Sequence, residues 1–189
     1  NAQSYPQKVK LSRNRQLNRR TFRPGLQVPS PPGIILCWPG KTTAEYARLG
    51  IEEYLSRIDR WRTCKCVVIS EEPSGRQYSE EHRLERQGKA ILRRLEDFNP
   101  VFLVVLHQQG RFLDSQKFAE LLQRQCYDDA RTLAFVVGGP AGVASGVCDQ
   151  ADLLLGLSSM TLPHDMARLF LTEQIYRAFT IIHGMPYSR

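Results

Sequence analysis

The sequence predicts an α/β protein whose parallel sheet is covered by helices on both faces. Two observations carry this. Apolar runs alternate along the chain with stretches of helical periodicity, and the runs are continuously apolar instead of alternating with polar residues. A strand flanked by helices on both sides has no solvent face, so every position takes an apolar side chain. A chain of 189 residues can build one such domain with an appendage.

IILCW from Ile34 reads as the first strand, and AEYARLGIEEYLSRI as an amphipathic helix. CKCVVIS from Cys64 is a second strand, followed by a charged helix over about residues 79–97. VFLVVL is a third strand ending at Leu106, and SQKFAELLQRQ a helix with Ser115 as its N-cap. TLAFVVGG is a fourth strand, with a short helix near 142–148. DLLLGLS is a fifth, and a last helix runs from about Pro163 to His183, since proline's fixed φ suits a first helical turn. No internal repeat is visible, and PSPPG is the only linker-like segment.

That linker separates a basic N-terminal arm, residues 1–33, from a domain over 34–189. The arm holds Lys8, Lys10, Arg13, Arg15, Arg19, Arg20 and Arg23 and no acidic residue, so it accounts for the whole net charge of +7. Such an arm resembles an organellar targeting segment. It equally suits an extension lying along RNA phosphates. No run approaches the roughly 18 apolar residues of a membrane span. The five cysteines lack paired metal spacing and read as reduced thiols, with no metal site.

Three strand ends stand out: Leu106-His-Gln-Gln-Gly110, Gly138-Gly-Pro-Ala-Gly142 and Leu157-Ser-Ser-Met-Thr-Leu162. Open α/β sheets bind ligands outside the carboxyl ends of their strands, and these loops share that edge. The glycines either make tight turns or admit a ligand close to the backbone. Neither G-x-G-x-x-G nor a Walker A motif occurs, which argues against dinucleotide or nucleoside triphosphate binding.

The strings LHQQGRFLDSQKFA, FVVGGPAG, LSSMTLPHDMARLFLTEQIYRAF and PYSR resemble those of the ribosomal large-subunit pseudouridine N3-methyltransferases of the SPOUT superfamily. The resemblance covers about residues 34–189 and is strongest from Leu103 onward. It implies a C-terminal trefoil knot, S-adenosyl-L-methionine as cofactor, a homodimer, and methyl transfer to N3 of a pseudouridine in large-subunit rRNA. The partner it implies is the ribosomal large subunit or its precursor. With the arm, the location it suggests is the mitochondrion, the alternative being a plastid.

By position, the resemblance gives Leu106, Gly138 and the loop of Leu157, Ser158, Ser159, Met160, Thr161 and Leu162 to the cofactor, mostly through backbone. Gly110, Gly139 and Gly142 shape the same pocket. Arg177, Tyr187 and Arg189 match positions beside the target base. Two departures stand out. His107 occupies a position that is commonly acidic or small. Ser188 replaces the histidine of the usual Pro-Tyr-His ending.

Ser188 bears on the chemistry. N3 of pseudouridine must lose its proton, and histidine is the natural acceptor near neutral pH. His164 and His183 remain as substitutes. Arg177 and Arg189 suit negative charge gathering on the ring carbonyls, and Tyr187 suits stacking or hydrogen bonding. Glu173, one helical turn before Arg177, is its orienter, although the pair is equally a structural salt bridge.

In the last helix Ala167, Leu171, Ile175, Ala178 and Ile182 form an apolar stripe. Phe170 and Ile181 fall on the other side, which implies a second subunit there. Two functions of different class follow. One is an organellar rRNA methyltransferase. The other is a large-subunit assembly factor that keeps the fold with weak or lost activity, as Ser188 and the long arm suggest.

Overall fold

The computed structural model describes residues 33–70, 78–129 and 131–187. The arm before Gly33, Ser188 and Arg189 lie outside the described residues, as do the expectations placed on them.

Strands β1 (Ile34–Pro39), β2 (Cys64–Ile69), β3 (Val101–Phe112), β4 (Thr132–Val136) and β5 (Leu153–Gly156) form one sheet in the order β2-β1-β4-β3-β5. Every neighbouring pair is parallel. The helices are α1 (Glu45–Ile58), α2 (Glu80–Leu95), α3 (Ser115–Gln123), α4 (Ser145–Cys148) and α5 (His164–Ile182).

β1 shows why the strands are apolar throughout. Ile34, Leu36 and Trp38 face one way, packing with Ile51 and Ile58 of α1, Phe118 and Leu122 of α3, and Leu171 and Ile175 of α5. Ile35 and Cys37 face the other, against Ile91 and Leu95 of α2 and Val147 of α4. Each fully buried Ile or Leu adds roughly 1.5–3 kcal/mol, so the strand gains from both faces. Burial pushes the Cys37 thiol up to about 12, which makes it a packing residue and not a nucleophile.

The element boundaries depart from expectation at three places. Asp114, not Ser115, caps α3: its backbone is extended and its carboxylate accepts from the Lys117 N–H at 2.8 Å, while Ser115 is already helical. Pro163 stands one residue ahead of α5, in the cap position, instead of inside its first turn. The third strand does not stop at Leu106. Leu155 of β5 is opposite Leu106 and again opposite Arg111, so residues 107–110 bulge out and pairing resumes to Phe112.

Gly110 makes that bulge possible. A Cβ there would sit 2.5 Å from the Leu155 carbonyl carbon and 2.7 Å from the Gly156 nitrogen, so β5 passes directly against its backbone. Helix α5 buries Arg168, Leu171, Thr172, Ile175, Ala178 and Phe179. Phe170 is exposed, as expected for a helix with a second partner, but Ile181 packs against the core and Thr180 is buried.

Candidate functional site

A cavity of about 930 Å³ lies outside the carboxyl ends of β4, β3 and β5. The three strand-end loops line it together. Leu106 and the bulge residues His107, Gln108 and Gln109 form one wall, Gly138, Gly139 and Gly142 another, and Leu157, Ser158, Met160, Thr161 and Leu162 a third. Of the residues assigned to the cofactor, Gly110 and Ser159 do not line it. Gly110 is buried beneath β5, where it shapes the wall from behind.

The glycine turn has its own internal logic. The Gly142 N–H donates to the Gly139 carbonyl at 2.9 Å, closing a turn with Gly142 at φ +86, a region that costs other residues about 1–2 kcal/mol. A Cβ on Gly138 would lie 2.5 Å from the Gly142 carbonyl oxygen. Gly138 is therefore a glycine because its own chain folds back over it, before any ligand is considered.

The lining suits a neutral or cationic nucleoside. Leu106, Leu157 and Leu162 give apolar walls, and His107 and His164 are its only titratable side chains. No Lys or Arg is there to neutralise a phosphate. Among the described residues, the backbone N–H groups of residues 158–162 donate to no backbone carbonyl, and that of Met160 goes to the Ser158 Oγ at 3.0 Å. An apolar slot with unspent backbone polar groups holds a base and ribose by shape and main-chain hydrogen bonds. The volume is within the usual range for such ligands, about 300–1,000 Å³.

Arg177 and Tyr187 form a second cluster. Helix α5 ends in a Schellman turn: the Gly184 N–H reaches the Ile181 carbonyl at 3.1 Å, the Met185 N–H reaches that of Thr180 at 2.8 Å, and Gly184 has φ +62. The chain turns back and lays Tyr187 on the helix it has just left. Its ring sits under the Arg177 guanidinium at 4.7 Å and edge-on to Tyr176 at 4.8 Å. Its hydroxyl is 3.3 Å from that of Tyr54 on α1. Glu173 receives Arg177 through Nε at 3.0 Å and Nη2 at 2.7 Å. Burial pushes the Tyr187 hydroxyl well above the ordinary tyrosine range, with help from the Tyr54 hydrogen bond and the Glu173 charge.

The two clusters do not meet within one chain. Ala167 lines the cavity, and Arg177 lies ten residues further along α5, about 15 Å at the helical rise. The two histidines considered as proton acceptors separate as well. His164 lines the cavity, whereas His183 stacks on Trp61 and meets the Tyr127 hydroxyl at 3.1 Å.

Sequence reasoning missed Gln108 and Gln109, which were taken as the end of a strand and not as a wall. It also missed Asp165 and Arg168. The signal for Arg168 was present: it heads the buried series Leu171, Thr172, Ile175 and Phe179 at helical spacing, a charge where an apolar residue belongs.

The fold and site define a parallel α/β protein with a nucleoside-sized cavity over its strand ends. The chain belongs to the SPOUT methyltransferase family, whose model, described as predicted SPOUT methyltransferase, matches residues 33–188. S-adenosyl-L-methionine is the cofactor of that family, and the cavity fits it. A protein named ribosomal RNA large subunit methyltransferase H from Syntrophotalea carbinolica is 36% identical over 154 residues, covering 82% of this chain and 97% of its own. One of the same name from Streptococcus pneumoniae is 37% identical over 153 residues, covering 79% and 95%. Among solved structures, a probable methyltransferase from Bordetella pertussis matches with a TM-score of 0.48 at 15% identity, covering 79% of this chain and 97% of that one.

Proposed function

We propose that this protein methylates N3 of a pseudouridine in large-subunit rRNA, as a homodimer, in an organellar ribosome. The observation that carries the reading is the convergence of the three motif loops on one cavity. Leu106, Gly138 and the 157–162 loop would hold S-adenosyl-L-methionine there, and the cofactor supplies an electrophilic methyl group on sulfur. Arg177 presents a cation to the carbonyl oxygens of the base, where negative charge gathers as N3 loses its proton. Glu173 holds that guanidinium in place, and Tyr187 offers a ring edge and a protonated hydroxyl.

The dimer answers the separation of the clusters. Met166, Phe170, Glu173 and Arg177 share one stripe of α5, and Met166 and Phe170 are each 40% exposed. A two-fold contact through that stripe pairs residue i of one copy with j of the other. With the helices antiparallel, the partner's Arg177 approaches Met166, next to the cavity wall at Ala167. The domain over 34–189 would then carry the knot, in keeping with the close passage of β5 over Gly110. The acid-free arm over 1–33 supports both an organellar location, mitochondrial or plastid, and contact with RNA phosphates. Removing it should flatten the salt dependence of RNA binding, by roughly 0.7–0.9 in log–log slope per lost contact. An unchanged slope would reduce it to an address.

The test is transfer of labelled methyl groups to large-subunit particles, followed by digestion and identification of the modified nucleoside. Modification at N3 of a pseudouridine supports the reading. Ser188 favours a second one, a large-subunit assembly factor with weak or lost activity. Cofactor binding without transfer to any large-subunit particle, mature or precursor, would select it.

A further inference from the structure

We propose that Arg168 is a positioning residue, a clamp that holds two walls of the cofactor cavity at their working spacing. The inference rests on the reading of that cavity as the S-adenosyl-L-methionine site. Arg168 is 1% exposed, and its guanidinium reaches three partners on two segments. Nη2 donates to the Pro39 carbonyl at 2.6 Å, and Nη1 donates to Thr42 Oγ1 at 3.3 Å and to Asp165 Oδ1 at 3.1 Å. The Trp38 ring lies beneath it at 5.3 Å.

Each partner leads to a wall. Pro39 backs the glycine turn, because a Cβ on Gly139 would stand 3.3 Å from its ring. Asp165 opens α5, directly after the 157–162 loop and next to His164, whose Nε2 is 3.3 Å from Asp165 Oδ1. The second oxygen of Asp165 accepts from the Thr43 N–H at 3.0 Å, the Thr43 hydroxyl at 3.1 Å and the Ala44 N–H at 2.9 Å. The pair thus ties the start of α5 to the turn between β1 and α1, and through Pro39 to the glycine turn.

Stability alone is a poor reason for a charge at this place. Desolvating an ion pair offsets most of its attraction, and apolar residues of like volume are often as stable or more so. What a fork of fixed donors adds is geometry: it sets two segments at one separation, which shape-driven packing does less sharply. Burial pushes the Asp165 carboxyl up, but the amides of Ala44 and Thr43, the Thr43 hydroxyl and His164 outweigh it, leaving it below its ordinary value. The pair is therefore ionised at neutral pH.

The test uses the full chain and the variants Arg168→Met, Arg168→Lys and Asp165→Asn. Two quantities are read without RNA: S-adenosyl-L-methionine affinity by calorimetry, and amide exchange of residues 139–142 and 157–163 in cofactor-free protein. Arg168→Met should weaken binding at least about tenfold and speed exchange in both segments, with β1 and β4 still protected. Arg168→Lys, which keeps charge but not the fork, should fall between. Should the methionine variant fail to fold, the lysine and asparagine variants, which keep volume, must show the same two effects. Unchanged affinity and unchanged loop exchange in the folded variants would overturn the clamp. If the unaltered protein binds no S-adenosyl-L-methionine, the cofactor reading fails, while loop exchange still decides whether Arg168 sets the spacing.

Discussion

The Arg177 guanidinium lies 4.7 Å from the centre of the Tyr187 ring, and Glu173 grips the same guanidinium from one turn earlier. Helix and tail thus present one preassembled unit, with the cation stacked on an aromatic face and its other edge held by a carboxylate. A cation restrained in this way needs little reorganisation to meet negative charge on a base.

Arg177→Ala should lower single-turnover methyl transfer about 10²–10³-fold, the usual loss for one stabilising donor. Cofactor affinity should change less than about twofold, because the residue stands roughly 15 Å along the helix from the cavity wall. Calorimetry beside a rapid-quench assay separates the two. An equal loss in both would place Arg177 in the cofactor site instead.

Tyr187 should act as a protonated group throughout the physiological range. Its folded pKa is raised by burial, the Tyr54 hydroxyl and Glu173, so the folded state keeps a proton that the unfolded chain releases near pH 10. The stability it lends is fully present below that pH and is lost as pH rises beyond it. Thermal unfolding from pH 7 to 11 should show Tyr187→Phe losing less stability above pH 10 than the unaltered protein. The pH–rate profile below pH 9 should keep its shape in that variant.

Phe170→Glu should yield a monomer in sedimentation that still binds S-adenosyl-L-methionine but no longer transfers the methyl group. A charge cannot be buried in an apolar contact without a partner. A dimer that survives the change would move the interface away from α5.

Ser188→His should raise single-turnover transfer at least about tenfold, since a positioned base typically contributes 10²–10⁴-fold. Full activity in the unaltered protein with no gain would show that the N3 proton leaves by another route, such as solvent.

The glycines should differ sharply in tolerance. Gly110→Ala forces a Cβ to 2.5 Å from the backbone of β5 and should cost about 3 kcal/mol or more, at the upper end for overpacking. Gly146→Ala, in α4 with nothing within 4 Å of its Cβ, should be neutral or gain up to about 1 kcal/mol. Chemical denaturation measures both.

The sheet was legible because double-sided burial leaves a local mark, the unbroken apolar run, as in Ile34–Pro39 with all six residues buried. The loops of the cavity were legible because glycines and short polar strings punctuate strand ends. The bulge at 107–110 was not, since pairing with β5 resumes through backbone bonds that ask nothing of the side chains His107, Gln108 and Gln109. Strand order and the clamp were hidden for a related reason. Arg168 finds Pro39 and Thr42 from more than a hundred residues away, and no local pattern encodes such a meeting. The separation of Arg177 from the cavity is likewise a matter of helix length and direction, not of composition.

Helix α5 also works as a ruler. It begins at the cavity, with His164 and Ala167 in the wall, and ends in the Schellman turn that hands Tyr187 to Arg177. Each residue advances such a helix by about 1.5 Å and turns it by about 100°. One residue inserted or removed between Ala167 and Arg177 would rotate the cation about a quarter turn away from its stripe while leaving both ends locally intact. Substitutions along the exposed side of this helix should be tolerated far better than any change in its length.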